Sequence, residues 1–227
     1  MPISNSNVLP NGSTVTFEEE GHRYTIDGLE AQSTTTIVGS WWPEVPMSPN
    51  AAPAAARGTR IHYAIQQGIE GKPFVGTEET QPYYEWAKEF AQDWREMYPG
   101  VEIYTEMLLG NADLGICGTA DLVIHYENKW LIFDWKTGRS RWMGRRYGLP
   151  SGPARKLLDS NKVKYGLQTR LYEKLLRDSG YVKDSEEVYE EVIYLSDMNG
   201  KVNVEPIDYT EADDTELRQV LSEGLLV

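Results

Sequence analysis

A single cysteine, Cys117, stands in 227 residues, so the chain can close no internal disulfide and cannot by itself supply the four thiolates of an iron–sulfur cluster. Long apolar runs are also missing, and none approaches the length of about 20 residues that a bilayer-spanning helix needs. The N-terminal Met1-Pro-Ile-Ser-Asn-Ser6 has neither the basic nor the apolar region of a secretion signal, so a soluble, intracellular protein without membrane contact is expected. The sequon Asn11-Gly-Ser13 then has no glycosylation to direct. There is no internal repeat and no phosphate-cradling lysine loop, so any ATP-driven step would have to come from another chain.

Positive charge is scarce overall, with 22 Lys and Arg against 35 Asp and Glu and a formal net charge of −13. A uniform distribution of that charge would exclude a nucleic-acid partner, but the cations are concentrated. Lys136, Arg139, Arg141, Arg145, Arg146, Arg155, Lys156, Lys162 and Lys164 face the single acid Asp159, so this stretch carries +8 and leaves −21 for the rest of the chain. Trp142, Tyr147 and Tyr165 are interleaved with those cations. A basic strip with aromatics suits phosphates and unstacked bases, while the acidic remainder discourages indiscriminate adhesion.

The most informative stretch is 118–136. Apolar runs flank Glu127-Asn128, which predicts a hairpin with its turn there and Asn128 tolerating a positive φ. Asp121 and Asp134 are equidistant from that turn and would face each other with Cβ atoms roughly 5 Å apart. Lys136, two residues past Asp134, shares its face. Opposed carboxylates repel unless a cation lies between them. Hard oxygen donors without a cysteine or histidine pair favour magnesium or manganese over zinc. A polar hairpin end in which Lys136 neutralises the acids is the alternative at this point.

The rest of the chain supplies the context. Residues 14–28 read as a small hairpin, and Trp41-Trp42-Pro43 marks an irregular connection whose tryptophans are expected to pack beneath the loop. Residues 54–68 have helical spacing of Ile61 and Ile65, which places His62 on or beside a buried face. An amphipathic helix is predicted over 81–97 and a strand over 101–109, with Glu102, Tyr104 and Glu106 on one face. A helix over about 154–179, strands over 187–196 and 201–209 around Asn199-Gly200, and a closing helix over 211–226 complete the reading.

Helix, three strands, helix, strand is the order of the PD-(D/E)XK nuclease core, an α/β, restriction endonuclease-like fold with a central mixed sheet flanked by helices. The chain resembles the RecB-type exonuclease branch of that superfamily. Gly58-Thr59-xx-His62, Glu106, Gly118-xx-Asp121, Asp134-Trp-Lys136 and Tyr165-xx-Gln168-xxx-Tyr172 match the branch's motifs in order. The N-terminal hairpin is similar to that of compact phage-encoded or mitochondrial genome maintenance exonucleases. Asp134, in place of the Glu of many restriction-type members, also fits this branch. One domain is expected, with 1–50 an embellishment, 51–210 the nuclease core and 211–227 a closing helix.

The resemblance implies a metal-dependent DNA exonuclease of recombination, replication or repair, acting on single strands or free ends. Asp121 and Asp134, the Trp135 carbonyl and the His62 imidazole would hold one or two Mg2+ or Mn2+ ions. Lys136 would orient the attacking water, with Glu106 acting from farther out. Gln168, Tyr172 and Tyr165 would contact the strand being cut, and Arg139, Arg141, Arg145 and Arg146 would grip phosphates beside it. A structure-specific or nicking endonuclease, and a catalytically idle DNA-binding recombination subunit, are the alternatives. A recombination or replication protein partner and an oligomer are compatible with the resemblance, which also suggests a phage-infected or bacterial cell.

Overall fold

A computed structural model describes residues 4–42, 49, 51–137, 150–157, 160–198, 200–207 and 214–225. Its elements are β1 (Ser4–Val8), β2 (Thr14–Glu18), β3 (Arg23–Ile26), β4 (Leu29–Ser33), α1 (Thr34–Ser40), α2 (Ala51–Ile69), α3 (Gln81–Met97), β5 (Glu102–Asn111), β6 (Ile116–Tyr126) and β7 (Lys129–Lys136). A short 3-10 helix (Gly152–Lys156) precedes α4 (Asn161–Asp178), β8 (Glu187–Met198), β9 (Lys201–Pro206) and α5 (Asp214–Gly224). Among the described residues no helix is long and apolar enough to cross a membrane.

The predicted hairpin over 14–28 is the middle of a four-stranded antiparallel meander, β1 to β4. Its outer strands escape the sequence pattern because Ser4–Val8 and Leu29–Ser33 are mostly polar and show no alternation. β4 runs directly into α1, where the Ser33 hydroxyl accepts the Thr36 N–H at 3.0 Å and so caps the helix. The helix predicted over 154–179 begins only at Asn161, because Ser160 accepts the Val163 N–H at 3.2 Å and sets the start there. Glu127, with φ 54°, rather than Asn128, takes the left-handed position of the β6–β7 turn.

β5 lies antiparallel along β6 over nearly its whole length. The other edge of β6 is therefore shared. β4 pairs in parallel with its first residues, Gln32 with Ile116 and Ser33 with Cys117, while β7 pairs antiparallel with its last, from Tyr126–Lys129 to Leu122–Phe133. β8 continues the sheet parallel to β7, and β9 closes it antiparallel to β8. Between β4 and β7 the sheet opens into a fork at residues 118–121 of β6.

Helices cover both faces. Ile61, Ile65 and Ile69 of α2 and Tyr83, Ala87 and Ala91 of α3 bury against Leu122, Ile124, Trp135 and Ile193. Gly68 permits the close α2–α3 approach, since a Cβ there would collide with the Tyr84 carbonyl. On the opposite face, Val163, Leu167, Leu171 and Leu175 of α4 pack on Ala120, Val123, Trp130 and Ile132, joined by α1 and α5. Trp41 and Trp42 are buried in that layer.

Candidate active site at the fork

Where the fork opens, two neighbouring strands lose their alternation together. The Tyr104–Val123 pair faces the α4 layer, and so does the Met107–Ala120 pair three residues away, although strict alternation would turn one of them over. The reversal happens at Glu106, which has φ 47°, and at its opposite number Asp121; this one pair is missing from the otherwise continuous register. A left-handed non-glycine residue inside a strand costs of order 1–3 kcal/mol and persists where surrounding structure enforces it. The consequence is that Glu106 does not share a face with Glu102 and Tyr104 as predicted. Glu102 instead pairs with His125, its Oε2 lying 2.8 Å from Nδ1.

Glu106 and Asp121 meet His62, which hangs from α2. One donor atom from each of these three residues lies within 4.8 Å of the others. His62 Nδ1 is 3.5 Å from Asp121 Oδ1, and Asp121 Oδ2 accepts the Trp135 N–H at 2.7 Å. The Asp121 carboxylate thus occupies the place where the next β6–β7 ladder bond would form. Along a strand a residue's N–H and C=O point to the same side, so the Trp135 carbonyl also turns toward the fork. Asp134 and Lys136 lie on the α4 side of β7 and form a buried ion pair, Lys136 Nζ to Asp134 Oδ2.

The electrostatics follow from crowding in a dry place. Burial works to lower the His62 pKa, but the Asp121 carboxylate, backed by Glu106 and Asp134, overcomes it and raises the imidazole to about 9. Burial and the adjacent Asp121 push Glu106 up to about 8. Asp121 is held below the usual carboxylate range against its burial by His62, Lys136 and the Trp135 N–H. Burial raises Asp134 despite Lys136, and the two acids keep the Lys136 ammonium charged against its own burial. Three acids against one lysine and one histidine leave room for a divalent ion. The donor set fits one: Asp121, Glu106 and His62 converge, while Asp134, expected from the sequence as a ligand, stands outside that group in its ion pair with Lys136, and the Trp135 carbonyl borders the same fork.

The α4 residues sit on the far side of Lys136. Its ammonium lies 4.7 Å from the centroid of the Tyr165 ring. Gln168 Nε2 donates to the Tyr172 hydroxyl at 3.0 Å, and Tyr172 is only 4% exposed, so its ring packs inside the site wall instead of standing at the surface. Gly118 makes that packing possible, because a Cβ there would lie 2.7 Å from Thr34 Cγ2 and 2.8 Å from Tyr172 Cε1. Thr34 is not legible in the sequence as a site neighbour, since only the β4–β6 pairing brings it to Gly118. Arg139, Arg141, Arg145 and Arg146 lie outside the described residues. Of the same basic strip, Arg155 and Lys156 are exposed, and Lys164 Nζ lies 4.7 Å from the centroid of the Trp42 ring.

The family model of the PD-(D/E)XK nuclease superfamily matches residues 77–226, a stretch that holds Glu106, Asp121, Asp134, Lys136, Gln168 and Tyr172 and begins after His62. Among solved structures, the chain is similar to one described as "Crystal structure of SSO0001", at 12% identity and a TM-score of 0.29, covering 86% of this chain and 75% of that one. Another, described as "Crystal Structure of LHK-Exo in complex with dAMP", matches at 10% identity and a TM-score of 0.28, covering 86% and 84%. A search of curated proteins found no match. With the model spanning well over half of its length and the fork in the sheet carrying the acid–acid–lysine set, this chain belongs to the PD-(D/E)XK nuclease superfamily.

Proposed function

We propose that the protein is a divalent-metal-dependent deoxyribonuclease of the RecB-type branch, an exonuclease that degrades single strands or free DNA ends in recombination, replication or repair. The observation that carries this reading is the convergence of His62, Glu106 and Asp121, joined through the Trp135 N–H to the Asp134–Lys136 pair. Superfamily membership supports hydrolysis of nucleic acid, and the motif Gly58-Thr59-xx-His62 with Tyr165-xx-Gln168-xxx-Tyr172 supports the branch.

Asp121, Glu106, His62, Asp134 and the Trp135 carbonyl are the groups that would hold Mg2+ or Mn2+. Bound there, such an ion would supply Lewis acidity toward the scissile phosphate and the attacking water. Lys136, pinned between Asp134 and the Tyr165 ring, keeps a full positive charge at the fork, where it orients that water and balances charge developing on the phosphate. Gln168, oriented by the Tyr172 hydroxyl, contacts the strand being cut. The arginines of 139–146 hold flanking phosphates.

End-labelled single- and double-stranded oligonucleotides and a covalently closed circle, each incubated with Mg2+ or Ca2+, test the reading. Product ladders from free ends in Mg2+ and an intact circle are expected. A cut circle would replace the exonuclease by an endonuclease using the same residues, and no cleavage in any metal would remove the catalytic reading.

A further inference from the structure

Past Phe133 the edge of β7 that faced β6 has no strand beside it among the described residues. Backbone groups alternate sides along a strand, so Trp135 and, two residues on, Thr137 both turn their polar groups to this abandoned edge. Two side chains stand in for the missing ladder. Asp121 takes the Trp135 N–H, and Arg57 Nη1 donates to the Thr137 carbonyl at 2.6 Å. On the opposite edge the pairing with β8 ends at Lys136–Tyr194, one residue before Thr137.

Arg57 is not a loose surface cation. Its side chain is 17% exposed, and its Nε donates to Glu79 Oε1 at 2.8 Å, while the other Glu79 oxygen accepts Arg60 Nη2 at 3.1 Å. The planar guanidinium therefore ties α2 to the segment before α3 and to the end of β7 at once, a fork that a lysine cannot reproduce. The next residue, Gly58, rests against Thr137, since a Cβ there would be 3.5 Å from Thr137 Oγ1. Gly58 and His62 are four residues apart and share one face of α2. The helix that carries His62 is thus seated on the residue that follows Lys136.

We infer that Arg57 is a positioning residue: by clamping the Thr137 carbonyl it sets the separation between His62 on α2 and the Asp134–Lys136 end of β7. The inference rests on the nuclease reading above for its effect on rate, but not for its effect on the strand end. A misplacement of about 1 Å at a reacting centre lowers turnover by as much as about a hundredfold.

Arg57→Ala and Arg57→Lys, compared with the unchanged protein, test it by steady-state cleavage of an end-labelled oligonucleotide, thermal melting, and amide hydrogen exchange across residues 134–137. Arg57→Ala is expected to lower kcat by roughly ten- to a hundredfold with KM within about twofold, the pattern of a group that acts on geometry and not on substrate binding. Exchange at the end of β7 should accelerate, and Arg57→Lys should recover only part of kcat. An unchanged kcat, or a raised KM at constant kcat, overturns the inference. Should Arg57→Ala fail to fold, Arg57→Lys decides by the same split. If the unchanged protein cleaves nothing, the nuclease reading falls alone, and unaltered exchange at residues 134–137 is then the result that sinks the clamp.

Discussion

The His62 imidazole faces the Asp121 carboxylate at 3.5 Å, Nδ1 to Oδ1, with Glu106 completing the group. At neutral pH in the metal-free protein both His62, raised to about 9, and Glu106, raised to about 8, carry a proton that an entering ion must displace. Metal affinity should therefore rise with pH, by up to about tenfold per pH unit for each proton released, and fade below neutrality. Both folded-state values lie above the ordinary 6.5 and 4.5, so the stability these groups lend the metal-free protein is complete below those ordinary values and lost as pH rises through about 9 and about 8. Calorimetric Mg2+ titrations in buffers of different ionisation enthalpy count the protons. An affinity that stays flat between about pH 6 and 8 would rule out displacement.

Glu106 holds its left-handed φ of 47° inside a strand, and glycine adopts that conformation freely. Glu106→Gly should raise the unfolding free energy by about 1 kcal/mol while cutting cleavage at least about tenfold, a separation of stability from activity typical of strain kept for a site. Glu106→Gln keeps the strained backbone and should lose activity without gaining stability. Denaturant unfolding alongside cleavage assays resolves the two, and equal stability of both variants would mean that the backbone is unstrained.

Lys136 is the cation that Asp134 has beside it in the buried pair. Lys136→Met should reduce cleavage by more than about a hundredfold and lower the melting temperature of the metal-free protein, because it leaves an acid buried without its partner. DNA binding in Ca2+ should persist. Retained Mg2+-dependent cleavage would exclude Lys136 from the chemistry.

The arginines at 139, 141, 145 and 146 are expected to neutralise phosphates. Replacing all four with glutamine should reduce the slope of log affinity against log salt by roughly three, at about 0.7–0.9 for each phosphate left without its cation. A slope that does not move would assign the basic strip another purpose.

How far the sequence can be read depends on which interactions are local. The β6–β7 hairpin is legible because its signal is a period-two pattern around a two-residue turn, and the register indeed pairs Tyr126 with Lys129. The α3 boundaries match at 81–97 because an amphipathic stripe marks every turn of that helix. α4 starts at Asn161 instead of near 154, since good helix formers after a Gly/Pro stretch do not reveal that Ser160 is the cap. β1 and β4 leave no such signal, because their partners, not their own polar residues, make them strands.

Motif order and spacing alone set Asp121 and the Asp134–Lys136 pair on the two strands of one hairpin, because a hairpin's register is written in the distance of each residue from the turn. Only the folded molecule decided that β4 and β7 divide one edge of β6, that Glu106 and Asp121 break step together at the gap between them, and that Asp121 and Arg57 satisfy the backbone of β7 where β6 has left it. Those features arise between segments far apart in the chain, where unpaired backbone groups must find partners that no local pattern names.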